Sequence, residues 1–484
     1  MNSIYIEKMK RIKKQCLTFI IMSSSIFIYA QIQIGSDIDG IGTGDHFGHS
    51  VSLSSDGTIV AASGFGGTSE DGRLRVLKNI GGVWTLYGTD INGESFGGMG
   101  GYCVSLSADG STLAVGRWEQ VVRVFSYDLE TNFWTQKGTD ITNNTGISAF
   151  GNSIDISSDG NTIVIGITGI EHPLLPTEGI TQIFKFEGGI WNQVGNNIIG
   201  IVFSEHSGIS VSMSYNGKII AISNNNSVRI YQNISGIWTL MGDEIMITEN
   251  SALINDISLS SNGETIAIGE PYFTDSFIQR GRVRVFNYES ESWNQVGTSI
   301  LGEVAHYRTG RSVSLSSNGQ FLAIGEIGSP SGLTDSGRTR LFKNQGGSWF
   351  QIGNNIFGEA SLDYSGWSVN LSSDASTVAI GASMNDGNGS DSGHVRVYGL
   401  NEILSVHDLE QPIVNLFPNP VRTQFTIQLQ EGIEVEKVNI YNSLGEFVNS
   451  VNRNIINTSE LSTGIYFVEI YTNKGKTTKK VLVF

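Results

Sequence analysis

Seven histidines, one acidic loop and a few scattered carboxylates are the residues of this chain best suited to chemistry. His46, His49, His206 and His306 lie in comparable segments, each a few residues ahead of an alternating apolar stretch. Imidazoles gathered on one face could ligate a metal, but their spacing follows no ligand motif, so scattered loop histidines are the better reading. Asp386, Asn388, Ser390 and Asp391 alternate oxygen side chains in the segment DGNGSDSG. Calcium loops use such alternation, yet this one lacks a terminal bidentate glutamate, and Gly, Asn, Asp and Ser are also ordinary turn formers. Calcium therefore stays open there. Glu270, Glu326 and Asp335 would suit polysaccharide hydrolysis if two of them converged at a suitable separation. Gly64–Gly67 and Phe96–Gly101 are glycine-rich but lack the Lys-Ser/Thr pair and following helix of a phosphate loop. No HExxH, GxSxG or Cys/His arrangement occurs. The sequence assigns no catalytic, cofactor-binding or metal-ligating residue.

The elements that carry these residues are repeated. The phrase SVSLSSDG recurs at Ser50–Gly57, Cys103–Gly110, Ser153–Gly160, Ser210–Gly217, Asp256–Gly263, Ser312–Gly319 and, degraded, Ser368–Ala375. Its turn residue falls at 56, 109, 159, 216, 262, 318 and 374, a mean interval of 53 residues. Each unit predicts four strands. An alternating first strand runs into an Asp-Gly or Asn-Gly hairpin turn and an apolar second strand. A third strand such as Arg282–Phe286 follows, then a fourth opened by Trp84, Trp134, Trp191, Trp238, Trp293 or Trp349. Six tryptophan-led strands thus accompany seven copies of the rest. Gln31–Gly40 resembles the missing piece, which predicts a seven-bladed β-propeller closed by its own N-terminal strand. The third strands share Arg75, Arg123, Arg229, Arg284, Arg340 and Arg396, with Gln182 in the third unit. Such regularity reads as a structural ladder, its partners expected among turn carboxylates between blades.

Composition agrees. The 60 Gly, 7 Pro and only 16% charged residues suit many tight hairpins and few exposed helices. Lys8, Lys10, Arg11, Lys13 and Lys14 precede an apolar run from Leu17 to Tyr29 and the small residue Ala30. That is the pattern of a secretory signal over residues 1–30, cleaved before Gln31 and too short to span a membrane; Met9 is an alternative start. Beyond it only Cys103 remains, at a position where other units hold Ser50 or Ser312, so a packed small side chain is expected and no disulfide. Residues 31–400 hold 18 basic and 36 acidic side chains, a balance that disfavours nucleic acid.

Two resemblances add to this. Phe47-Gly48, Phe150-Gly151 and the AIGE or AIGA endings of second strands resemble FG-GAP repeats, the blades of integrin-α-like propellers. That family often holds calcium between the first two strands, but the bare SSDG turns here have too few oxygen donors for a cage. WD40 blades share the hairpin turn but place tryptophan elsewhere, and the Asp-box of sialidases needs a continuation that is absent. After a linker at 401–412, residues 413–484 resemble the type A sorting domain of type IX secretion cargo in Bacteroidetes. The matching residues are Leu416–Pro420, Val438–Asn442 with Leu444-Gly445, Leu461–Tyr466 and Lys479–Val483. The resemblance implies a small Ig-like β-sandwich, handling by the type IX machinery, and release or attachment at the cell surface.

The expected whole is an all-β, monomeric exported protein that binds glycan or protein and is not an enzyme. Its recognition face would be the loops after second strands (65–72, 167–179, 270–281, 326–337, 382–393). A polysaccharide-active enzyme and a purely structural matrix protein are the alternatives.

Overall fold

The computed structural model describes residues 29–66, 73–92, 100–117, 121–145, 149–169, 178–202, 205–247, 253–276, 278–328, 334–402, 415–429, 434–442, 447–459, 461–472 and 475–484. These form two compact units, Tyr29–Asn401 and the residues from Glu402 to Phe484. All regular structure among them is β. The signal expected over 1–30 and the linker over 401–412 lie almost wholly outside the described residues.

The first unit holds seven antiparallel sheets of like build, each open. The first runs Ser50–Leu53, Ile59–Gly64, Arg73–Ile80 and Val83–Leu86, and the short strand Ile91–Asn92 returns to pair with the third. Sheets two to five repeat that order, and the sixth fuses its last two strands into Ser348–Phe357. The seventh has Ser368–Leu371, Thr377–Ala382 and His394–Glu402, and takes its outer strand, Tyr29–Gln33, from the other end of the unit. Ile38–Asp39 then pairs with Val395 and His394 as the returning strand. The N-terminal segment thus supplies what the seventh repeat lacks.

Burial grades across each sheet. Second strands such as Ile59–Gly64 are buried throughout, whereas fourth strands such as Val83–Leu86 are mostly exposed. The apolar cores lie between successive sheets: Ile59, Ala61, Leu74 and Val76 of the first pack on Val104, Leu106, Leu113 and Val115 of the second. The last such core joins the seventh sheet to the first, through Ala379, Val395 and Val397 against Val51, Leu53 and Val60. At about 1.5 to 3 kcal/mol per fully buried Val, Leu or Ile, these interfaces carry most of the unit's stability.

Turn chemistry fixes the hairpins. Asp56 accepts hydrogen bonds from the Ser54 hydroxyl (2.6 Å) and the Thr58 amide (3.0 Å), and Gly57 takes φ +68°. The seventh turn keeps that shape with Ala375 at φ +59°.

Tryptophans and arginines tie neighbouring sheets together. The indole of Trp84 donates to the Ile34 carbonyl (2.7 Å), Trp134 to Tyr87 (2.8 Å), Trp191 to Lys137 (2.8 Å), Trp238 to Val194 (3.0 Å) and Trp293 to Met241 (2.7 Å). Each acceptor belongs to the preceding sheet. In the seventh sheet Gln31 holds the tryptophan position, and its amide reaches Ile352 O (3.4 Å) and Asn354 O (2.9 Å) of the sixth.

The arginine ladder differs from expectation in its partners. Arg75 pairs with Asp90 (3.5 Å), Arg123 with Asp140 (2.7 Å) and Arg229 with Glu244 (2.9 Å), and Gln182 donates to Asn197 (2.9 Å). These partners precede the returning strand of the same sheet, because the turn aspartates are held by their own hairpins. The guanidinium groups of Arg75, Arg340 and Arg396 also donate to carbonyls of the preceding sheet, Asp39, Leu301 and Phe357.

The second unit has a three-stranded sheet (Asn415–Phe417, Gln424–Gln428, Ile455–Asn457) and a four-stranded one (Phe447–Val451, Val435–Asn442, Gly464–Thr472, Gly475–Val483). Phe425, Ile427 and Ile456 of the first share one core with Val438, Ile440, Val468, Ile470 and Val481 of the second.

Candidate functional site

The seven first strands of the first unit line one cavity of about 470 Å³. Its wall explains why those strands read SVSLS. The third residue of each repeated phrase accepts a hydrogen bond from a backbone amide of the next sheet's first strand. Ser52 takes Leu106, Ser105 takes Ile156, Asp155 takes Met213, Ser212 takes Leu259, Ser258 takes Leu315 and Ser314 takes Leu371. Asn370 takes Leu53 and completes the cycle. Edge amides that no sheet partner satisfies are thereby satisfied by side chains.

At one end of the cavity the turns are linked in the same cyclic order by backbone hydrogen bonds. Ser55 donates to Ala108, Ala108 to Ser158, Ser158 to Tyr215, Tyr215 to Ser261, Ser261 to Ser317, Ser317 to Ser373 and Ser373 to Ser55.

Two carboxyl groups face the lumen. Asp155 accepts from Met213 N (2.7 Å), Ser105 Oγ (2.9 Å) and Ile156 N (2.9 Å); Asp256 accepts from Val313 N (2.9 Å), Ser210 Oγ (3.0 Å) and Ile257 N (3.0 Å). Both are partly open to the narrow lumen yet hemmed in by protein. Burial pushes each up to about 6, against the pull of those donors. They sit in different sheets with amide-binding duties, an arrangement that suits a structural wall.

The opposite end is the candidate site. The residue just before each repeated phrase changes in type around the ring, with Asn alone occurring twice: His49, Tyr102, Asn152, Ile209, Asn255, Arg311 and Trp367. All but Tyr102, whose side chain lies outside the described set, line the cavity. Aromatic rings concentrate there. His49 meets Phe65 edge-on at 4.7 Å and Trp367 at 5.6 Å, and His46 stacks on Phe65 at 4.8 Å. The Arg311 guanidinium lies 4.0 Å from the Trp367 ring centre, and the Asn255 amide donates to Arg311 O at 2.7 Å. Sheets one, five, six and seven thus contribute to one polar and aromatic rim. Aligning the seven units on their turns would expose this position as a column of six residue types within a repeating frame.

Other residues singled out from sequence have different fates. His46 and His206 sit at equivalent left-handed positions (φ +49° and +54°), each ring bonded to a carbonyl, Ser383 or Thr168. His306 is exposed and lies two residues ahead of Arg308, which holds the equivalent left-handed position. The four histidines therefore do not converge. Glu270 and Glu326 are 0% exposed, and each is clamped by two arginines, Arg282 with Arg284 and Arg338 with Arg340. Asp335 joins neither, so no hydrolytic pair forms from these three.

In the 386–391 loop, an Asp386 oxygen accepts the Asp391 amide (2.8 Å) within the loop, while the Asn388 side-chain nitrogen donates to Gly40 O (2.9 Å) of the N-terminal segment. The Cys103 thiol does the work of serine. It donates to Gly151 O (3.0 Å) as Ser312 does to Gly366 O, and burial pushes it up to about 12. Most residues of two proposed recognition loops (65–72 and 167–179), and residues 329–333 of a third (326–337), lie outside the described set. The described residues contain one group with three potential metal-ligand atoms close together, Asp37, Glu359 and His394.

Residues 415–484 match the secretion system C-terminal sorting domain family. That domain is handled by the type IX machinery and marks proteins exported to the cell surface or the medium, which is where this chain is sent. No curated protein matches the chain. Among the described residues no helix is long and apolar enough to cross a membrane.

Proposed function

We propose that this chain is an exported, non-enzymatic binding protein. In this reading residues 1–30 are a signal peptide and 31–400 a seven-bladed β-propeller of FG-GAP-like repeats, closed by its N-terminal strand. A linker at 401–412 leads to the sorting domain. Seven like sheets, cyclic hydrogen bonds along the first strands and the shared core between the seventh sheet and the first support the closed ring. The ligand is a glycan, held at the rim of the lumen: Trp367 and Phe65 offer rings for stacking on sugar faces, and Asn152, Asn255 and Arg311 offer hydrogen bonds.

One observation carries the binding reading: the rim column varies in chemistry while the frame around it repeats. Glu270 and Glu326 are locked in ion pairs with buried arginines, which favours binding over catalysis. Glycan-array screening of the mature protein tests this, followed by Trp367→Ala and Asn255→Ala. Binding that either substitution weakens at least tenfold, and that replacement of 386–391 leaves intact, supports the rim. Binding indifferent to both substitutions, or turnover of a bound polysaccharide, contradicts it.

A further inference from the structure

The repeat contains its own comparison for the seam between the N-terminal segment and the seventh sheet. In the sixth sheet the first residue of the third strand is Arg338, 1% exposed, whose guanidinium binds Glu326 and also Glu303 at 2.8 Å. In the seventh sheet that residue is His394, also 1% exposed. Glu359 stands where Glu303 does, two residues past the returning segment, and Ala382 replaces Glu326. A compact imidazole thus occupies a place where the sixth sheet holds a long cation, and Glu359 faces that ring where Glu303 meets a guanidinium.

Those carboxylates converge on the ring. Asp37, Glu359 and His394 each offer a ligand atom, all within 4.8 Å of one another. His394 Nδ1 lies 3.7 Å from Asp37 Oδ2, beyond hydrogen-bonding distance, and Nε2 is enclosed without a partner among the described residues. Asp37 is oriented from behind, because Gln33 Nε2 donates to its other oxygen at 2.6 Å. Asp363, which caps the backbone amides of Glu359 and Ala360, adds a third carboxyl group nearby. Arg396, 3.5 Å from Glu359, is the one guanidinium acting on this group among the described residues. Three carboxyl groups against one guanidinium leave room for two positive charges. Burial, followed by the Arg396 charge, pushes His394 down to about 4, so the ring presents neutral nitrogen at ordinary pH.

We infer that Asp37, Glu359 and His394 form a divalent-metal clasp, suited to Zn²⁺, that fastens the N-terminal segment to the seventh sheet. Imidazole nitrogen and carboxylate oxygen are both zinc donors, and the small inward movement needed falls on Glu359, whose side chain is 50% exposed. The three ligands come from the N-terminal segment, the connection after the sixth sheet and the seventh sheet. A bound ion therefore holds the closing seam.

Isothermal titration of the chelator-stripped mature protein with ZnCl2 tests the clasp. The expected result is one Zn²⁺ per chain, bound at least tenfold more weakly by Glu359→Gln and not at all by His394→Arg. The arginine variant recreates the pairing of Arg338 with Glu303, so its unfolding midpoint should match or exceed that of the metal-free parent and no longer respond to Zn²⁺. Absence of Zn²⁺ binding in the parent overturns the inference. So does binding that survives both substitutions, or binding of Ca²⁺ alone.

Discussion

Asp155→Asn should stabilise this protein at alkaline pH and lose that advantage in acid. The carboxyl group is raised to about 6 in the fold, chiefly by burial, from an ordinary 3.8. A raised folded value means that its favourable contribution is complete below about 3.8 and is lost as pH rises through about 6. Roughly two units at about 1.4 kcal/mol each make the ionised group cost about 3 kcal/mol at pH 8. Asparagine removes that cost, and its oxygen can still accept the Met213 amide, as Asn370 accepts Leu53. The Ile156 amide loses Asp155 but keeps Ser105 Oγ at 3.2 Å. Allowing about 1 kcal/mol for the weakened network, the variant should gain about 2 kcal/mol at pH 8 and be about 1 kcal/mol less stable than the parent by pH 4. Urea unfolding of parent and variant at pH 4.5, 6 and 8 measures the difference, with all other titrations cancelling. A variant less stable at pH 8, or a difference that does not change with pH, refutes the reasoning.

Three further substitutions probe the frame. Gln31→Trp should restore the seventh indole contact beside Gly353, raising stability by about 1 to 2 kcal/mol in thermal unfolding. Glu326→Ala leaves buried Arg340 without its carboxylate and Arg338 with Glu303 alone, and should cost about 3 kcal/mol in urea, with ligand affinity of the remaining folded protein unchanged. Gly325→Ala would set a Cβ 2.0 Å from the Gly366 carbonyl of the next sheet and should cost about 3 kcal/mol or more by the same assay.

The fold was legible wherever chemistry repeated. Seven turn positions match the seven sheets, and the mismatch between seven turns and six tryptophans points to Gln31–Gly40. The sorting domain was readable because four short motifs occur in order. The role of the serines was hidden, because alternation alone cannot tell a lumen-facing hydroxyl from a solvent-facing one, whereas Ser52, Ser105 and Ser314 act across sheets. The arginine partners were hidden for a related reason. Asp90 and Asp140 lie only 15 and 17 residues beyond Arg75 and Arg123, but their pairing depends on the short returning strand, which is too brief to show periodicity. The rim and the Asp37–Glu359–His394 group escaped because each gathers residues separated by hundreds of positions, joined only when the last sheet meets the first. Glu270 and Glu326 show the opposite error: exposed-looking acids at strand ends that burial and paired arginines remove from chemistry.

The claim on which the rest depends is that the N-terminal segment completes the seventh sheet. Its contacts are specific: Ile34 N to Val397 O (2.7 Å), Gly40 N to Gly393 O (2.8 Å) and the Trp84 indole to Ile34 O (2.7 Å), with Ile38 only 4% exposed in the shared core. Hydrogen exchange of the mature protein, compared with one beginning at Ile41, measures this directly. The account predicts that the peptide spanning His394–Gly399 loses protection and that the unfolding midpoint falls. Unchanged protection of that strand, with an unchanged midpoint, would contradict it.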